Sequence, residues 1–183
     1  HFEAAVRNRE IELTADCIRA AGDLGIGVVN CFTGPAPFMD IGSPTLHREI
    51  DEGEAWGMVC AACDRIIPVA EQAGVKIAIE AVYGMVCRDY YTLAELMRRY
   101  DSAHFGVNYD PSHMALQDNT VPWTIHQLAE RIFHCHVKDV AGVPGKILGA
   151  TFVFPFLGEG RVDWPGFFEA MNAIGYEGCL SVE

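Results

Sequence analysis

The chain has 183 residues, half of them hydrophobic, with 25 Asp and Glu against 13 Lys and Arg and a net charge of −12. That is enough for one globular domain with a real core, while no run reaches the roughly 18 apolar residues of a membrane span, and the polar opening HFEAAVRNRE is unlike a secretory leader. The acidic balance argues against nucleic acid as a partner, because such binders gather Lys and Arg on one face. Seven cysteines, odd in number and mostly within apolar segments, read as reduced cytosolic thiols, so a cytoplasmic protein is expected.

Ile11, Ala15, Ile18 and Ala21 recur at helical spacing and predict a helix over 4–23, ended by Gly22 and Gly25. IGVVNCF (26–32) reads as a buried strand, and a Gly/Pro-rich loop follows over 33–44. A long helix is expected over 52–73, closing at Gly74. It contains Cys60 and Cys63, a CxxC without a second pair to complete a zinc site, which reads as two small core-facing residues. VKIAIEAV (75–82) is the next strand. Thr92 and Glu95 form a capping-box pattern that opens a helix to about Tyr100. The strand FGVNYD (105–110), a short helix near 123–131 and the strand IFHCHVKD (132–139) come next. A long loop over 140–162 carries LGEG; Asp163 then caps a helix that Pro165 begins and Gly175 ends, and EGCLSVE (177–183) is the last strand.

Such alternation gives parallel strands joined by right-handed crossovers. Successive side chains of a strand point to opposite faces, so each run has a phase. Lys76, Ala78 and Glu80 oppose Val75, Ile77 and Ile79, and Gly106, Asn108 and Asp110 oppose Phe105, Val107 and Tyr109. Ile132, His134, His136 and Lys138 oppose Phe133, Cys135 and Val137, while Cys179, Ser181 and Glu183 oppose Leu180 and Val182. Four runs therefore end on Glu80, Asp110, His136 and Glu183, each on the face opposite its bulky apolar residues. Carboxyl ends converging on one mouth would gather three carboxylates and one imidazole, a site for one divalent ion. The donor set suits Mn²⁺ or Mg²⁺, with Co²⁺ or Zn²⁺ as alternatives.

A closed barrel mouth explains four ligand-bearing strands better than an open doubly wound sheet. A whole (β/α)8 barrel takes roughly 250 residues. Residues 1–183 are therefore expected to form a single partial TIM barrel of about five strands, with about three N-terminal strands outside it. Its edges at 26–32 and 178–183 would then be unpaired and prone to association into homo-oligomers.

Around the mouth, His113 is a candidate substrate or second-metal contact. Lys138 could polarise a substrate oxygen, neutralise a phosphate, or simply pair with Asp139. Glu159 could reach the site from LGEG. His134 lies one layer deeper and reads as a hydrogen-bonded core histidine, and His47, His104 and His126 read as surface residues.

IAIEAVYG around Glu80, FGVNYDPSHMALQ around Asp110 and His113, RIFHCHVKDV around His136 and FLGEGRVDWPGFFEAMNAIGYEGCLSVE together resemble the xylose isomerase-like barrel superfamily. The likeness is to its sugar phosphate isomerases/epimerases, a group that includes inosose isomerases and dehydratases; it covers about 70–183, and LGIGVVNCFTG is weakly similar. The resemblance implies that Glu80, Asp110, His136 and Glu183 ligate one divalent cation. It also implies that Glu80 and Glu183 flank a bound sugar or polyol and exchange protons with carbons beside its carbonyl, through a metal-stabilised enediolate. Two residues depart from the pattern. Ala81 stands where many relatives have Asn, and Gly142 lies in the region where ketohexose 3-epimerases carry an arginine. The expected reaction is isomerisation or epimerisation, with an inosose dehydratase-type lyase as the alternative. An abasic-site endonuclease fits the acidic composition poorly, and an inactive fragment is the remaining reading. Substrate choice would rest on loops 33–46 and 140–160.

Overall fold

The computed structural model describes residues 1–36, 50–145 and 151–183, so His47 and parts of both loops expected to govern specificity lie outside the described residues. Helix α1 (Ala4–Asp23) buries Ile11, Ala15, Ile18 and Ala21, the stripe its periodicity predicts. After strand β1 (Val28–Cys31), Asp51 caps helix α2 (Glu52–Ala73) by accepting the Glu54 N–H, and Gly74 closes it in the left-handed conformation. Cys60 and Cys63 are both buried on α2, and burial pushes the Cys63 thiol up to about 12. Strand β2 (Lys76–Glu80), helix α3 (Tyr90–Arg99) and strand β3 (Phe105–Tyr109) follow, then helices α4 (Pro111–Leu116) and α5 (Val121–Leu128). A 3-10 turn leads into strand β4 (Ile132–Val137); a small hairpin, β5 (Ala141–Gly142) with β6 (Phe152–Val153), precedes helix α6 (Trp164–Ala173) and strand β7 (Leu180–Val182).

The strands form one parallel sheet in the order β1-β2-β3-β4-β7, with β5 and β6 apart from it as an antiparallel pair. This is a partial TIM barrel. Its core lies between the sheet's outer face and the helices, where Ile77, Ile79, Phe105, Val107 and Tyr109 meet Ile66, Leu93, Leu96, Ile125 and Phe167. Each such side chain contributes about 1.5–3 kcal/mol by leaving water. Tyr109 is wholly buried, and its hydroxyl is satisfied by Val121 O at 3.1 Å and Thr124 Oγ1 at 2.7 Å, which ties β3 to α5. The edge strands leave Leu180 and Val182 exposed, as is Phe32 just beyond β1.

Four details differ from the expectations. The third helix begins at Tyr90, because Asp89 is its cap: Asp89 accepts the Thr92 N–H while Thr92 Oγ1 accepts the Asp89 N–H. Thr92 is thus the inner partner of the box, and Glu95 pairs with Arg98 on the surface. Helix α4 was not expected; Asp110 caps it and Pro111 supplies its first turn. The long loop contains the β5–β6 hairpin.

The fourth difference concerns the phase of β4. Val107 pairs with Ile132 but Asn108 pairs with His134, so Phe133 is the extra residue of a bulge. Ile132 consequently joins the helix-side core, while the Phe133 ring turns to the inner face against Gly106 and under the Lys76 ammonium, 4.5 Å from its centroid. A Cβ on Gly106 would strike that ring and the Arg131 carbonyl. Beyond the bulge the predicted phase is restored for His134 and His136.

A candidate metal centre at the carboxyl ends of the strands

Parallel register brings the inner-face residues into rows. Glu80, the last residue of β2, lies beside Asn108 of β3, and His136 of β4 lies beside Ser181 of β7. Asp110 follows β3 directly and Glu183 follows β7, so both enter at the same level of the mouth. One donor atom from each of Glu80, Asp110, His136 and Glu183 falls in a cluster no more than 4.8 Å across. Donors that far apart can share one ion through bonds of about 2.1–2.4 Å.

His136 is the hub of the cluster, its Nδ1 being 3.0 Å from Glu183 Oε2 and 3.4 Å from Glu80 Oε2. Glu80 and Asp110 are buried, and burial first, then the nearby Asp110 and Glu183 charges, push the Glu80 carboxyl up to about 8. Glu183 is half-exposed and falls below the ordinary carboxylate range; its burial acts in the opposite sense but is outweighed by Lys138, His136 and His113. Asp110 Oδ1 accepts the Ser112 N–H at 2.8 Å, whereas its Oδ2 is buried without a hydrogen-bond partner among the described residues. Three carboxylates facing a single lysine, with one buried oxygen unused, are a donor set short of positive charge. They fit a divalent cation.

The secondary candidates divide. His113, on α4, is buried with Nε2 3.7 Å from Asp110 Oδ2 and 3.8 Å from Glu80 Oε1, and burial lowers its pKa toward the neutral imidazole. Lys138 does not pair with Asp139; its ammonium is 3.0 Å from Glu183 Oε1 and 3.9 Å from Asp110 Oδ2. His134 is half-buried and meets Ser181 Oγ at 3.0 Å through Nε2, one layer below the ligands. Glu159 is exposed in a turn and is not drawn into the cluster. His126 is exposed, and His104 meets Val75 O at 2.9 Å. Ala81 lies in the apolar core, on the face away from the ligands.

Three residues without a sequence-assigned role shape the mouth. Asp139 is buried and accepts N–H groups from Val140, Gly158, Gly160, Val162 and the Trp164 indole, which pins the LGEG turn to the end of β4. Phe154 follows the hairpin, with the Lys138 ammonium 4.3 Å from its ring centroid and the His113 ring edge-on at 5.8 Å. Asn108 donates to Glu80 Oε2 at 2.7 Å. Only Asn108 carried a signal in the sequence, as a polar residue on the ligand face of an apolar strand.

The model of the xylose isomerase-like TIM barrel family matches the chain over residues 1–183. The chain belongs to this family. Among curated members, this xylose isomerase-like chain is 28% identical over 181 residues to SgbU of Escherichia coli K12, a provisionally named L-ribulose-5-phosphate 3-epimerase, the match covering 99% of this chain and 59% of SgbU. It is 26% identical over 204 residues to the inosose dehydratase of Geobacillus thermodenitrificans, covering 100% of this chain and 66% of that enzyme. The chain thus spans less than two thirds of these relatives. The fold matches that of a crystal structure of the IOLI protein with a bound zinc atom at a TM-score of 0.78 and 20% identity, covering 100% of this chain and 63% of that one. Among the described residues no helix is long and apolar enough to cross a membrane.

Proposed function

We propose that this chain carries the metal centre of a divalent-metal-dependent isomerase or epimerase acting on a small sugar, sugar phosphate or inosose. The observation that carries the reading is the convergence of Glu80, Asp110, His136 and Glu183 from four neighbouring strands within 4.8 Å. The similarity to an epimerase and to an inosose dehydratase supports the substrate class. Mn²⁺ or Mg²⁺ suits three carboxylates and an imidazole, and the zinc in the IOLI structure keeps Zn²⁺ among the alternatives.

A cation bound by these residues supplies Lewis-acid stabilisation of negative charge on the substrate's oxygens. Glu80 and Glu183 come from strands on either side of His136. One takes the proton from the carbon beside the carbonyl, and the other returns a proton to the neighbouring carbon or to the opposite face of the same carbon. Lys138, with its ammonium at the mouth, orients a substrate oxygen, and buried neutral His113 donates or accepts a hydrogen bond to a hydroxyl. Glu159 would join only from the exposed turn. The same residues support a lyase reading, favoured by the match to inosose dehydratase, in which a β-hydroxyl leaves after proton loss.

The test is a product screen of the intact protein on ketoses, inososes and their phosphates, with and without added Mn²⁺. Metal-dependent formation of isomers or epimers is expected. Water elimination from an inosose would assign the lyase instead, and no metal-dependent turnover on any of them would overturn both readings.

A further inference from the structure

Asn108 is wholly buried in β3, whose other residues are Phe105, Gly106, Val107 and Tyr109. Its Nδ2 donates to Glu80 Oε2 at 2.7 Å and lies 3.4 Å from both ring nitrogens of His136. Its Oδ1 is buried with no hydrogen-bond partner among the described residues. In its ligating form Glu80 is an ionised carboxylate that only accepts, so the carboxamide nitrogen is the end that faces it there. Register fixes this pairing, since Asn108 sits between Glu80 of β2 and His134 of β4. The bond also sorts the two oxygens of Glu80: Oε2 is held at the Asn108 and His136 side, while Oε1 faces His113 at 3.8 Å. An apolar side chain would fill the same space without leaving Oδ1 unpaired.

We propose that Asn108 is a positioning residue that holds Glu80 in its ligating and proton-carrying orientation. The inference rests on the metal-dependent reading above. Groups that hydrogen-bond a metal's ligands typically change affinity or activity about 10–100-fold when removed.

The experiment compares Asn108→Leu, which has similar volume and no polar group, with Asn108→Asp, which keeps the shape but loses the donor. Mn²⁺ affinity is measured by calorimetry, kcat and KM on whichever substrate the intact protein turns over, and folding by thermal melting. In Asn108→Leu, Mn²⁺ binding should weaken by about 10–100-fold, and at saturating metal kcat should fall while KM stays within about twofold. Asn108→Asp adds negative charge beside the cation, yet its kcat should also fall because the Glu80 orientation is lost. A folded Asn108→Leu protein with wild-type Mn²⁺ affinity and kcat overturns the proposal. If that variant does not fold, wild-type kcat in Asn108→Asp overturns it and a reduced kcat supports it. Wild-type protein that takes up none of Mn²⁺, Mg²⁺, Co²⁺ and Zn²⁺ sinks the metal reading itself, and needs no variant to show it.

Discussion

The Lys138 ammonium lies 3.0 Å from Glu183 Oε1, and this pair joins the end of β4 to the end of β7 inside the mouth. Glu183 turns its other oxygen to His136 Nδ1 at 3.0 Å. Lysine and imidazole thus share one carboxylate that the metal reading also needs. Lys138→Met should therefore let Glu183 titrate at higher pH, since the lysine is the foremost of the groups, with His136 and His113, that hold it low. A carboxyl resonance of Glu183 that titrates unchanged in Lys138→Met by NMR would contradict this.

Glu80→Gln and Glu183→Gln should each lower turnover far more than substrate affinity, because general acid–base transfer is worth about 10²–10⁴-fold. The check is steady-state kinetics at saturating metal, with metal content measured alongside. Near-normal kcat in either metal-loaded variant would refute the two-glutamate scheme.

Burial and like charges raise Glu80 from its ordinary 4.5 to about 8 in the metal-free protein. The folded state then holds a proton that the unfolded chain releases above about 4.5, so this group favours folding least at high pH. Its contribution is full below 4.5 and is lost as pH rises toward 8. Metal-free protein should thus melt at lower temperature at pH 8 than at pH 5 as far as this group is concerned, and Glu80→Gln should flatten that slope. Mn²⁺ binding near pH 7 should release protons, visible as a buffer-dependent calorimetric enthalpy.

Asp139→Ala should destabilise the fold by roughly 3 kcal/mol or more, because five N–H donors lose a charged acceptor together. Urea unfolding would measure it. Loosening of the 158–160 turn should appear first as faster amide exchange at Gly158 and Gly160.

Gly106→Ala should cost about 1–3 kcal/mol by overpacking against Phe133 and the Arg131 carbonyl. A double-mutant cycle with Phe133→Leu should recover part of the loss, since the ring can be shortened but the carbonyl cannot move without β4. Equal loss with and without the large ring would place the strain wholly on the backbone.

The alternation of helix and strand, the helix stripes such as Ile11, Ala15, Ile18 and Ala21, and the shared phase of Glu80, Asp110, His136 and Glu183 were legible from residue order. Each depends on a period, 3.6 or 2, that local backbone geometry imposes. The Phe133 bulge was not legible: IFHCHV alternates without interruption, and only pairing with β3, where Gly106 leaves room for a ring, decides that one residue is extra. Which partners Asp139 takes was equally undecidable, because four of its five donors lie 19 to 25 positions away in sequence. The chain's own order thus determined which residues could face the barrel mouth. Tertiary packing alone decided that Lys138 serves Glu183, that Asn108 serves Glu80 and that Glu159 stays outside, since distances across strands are set by register and not by spacing along the chain.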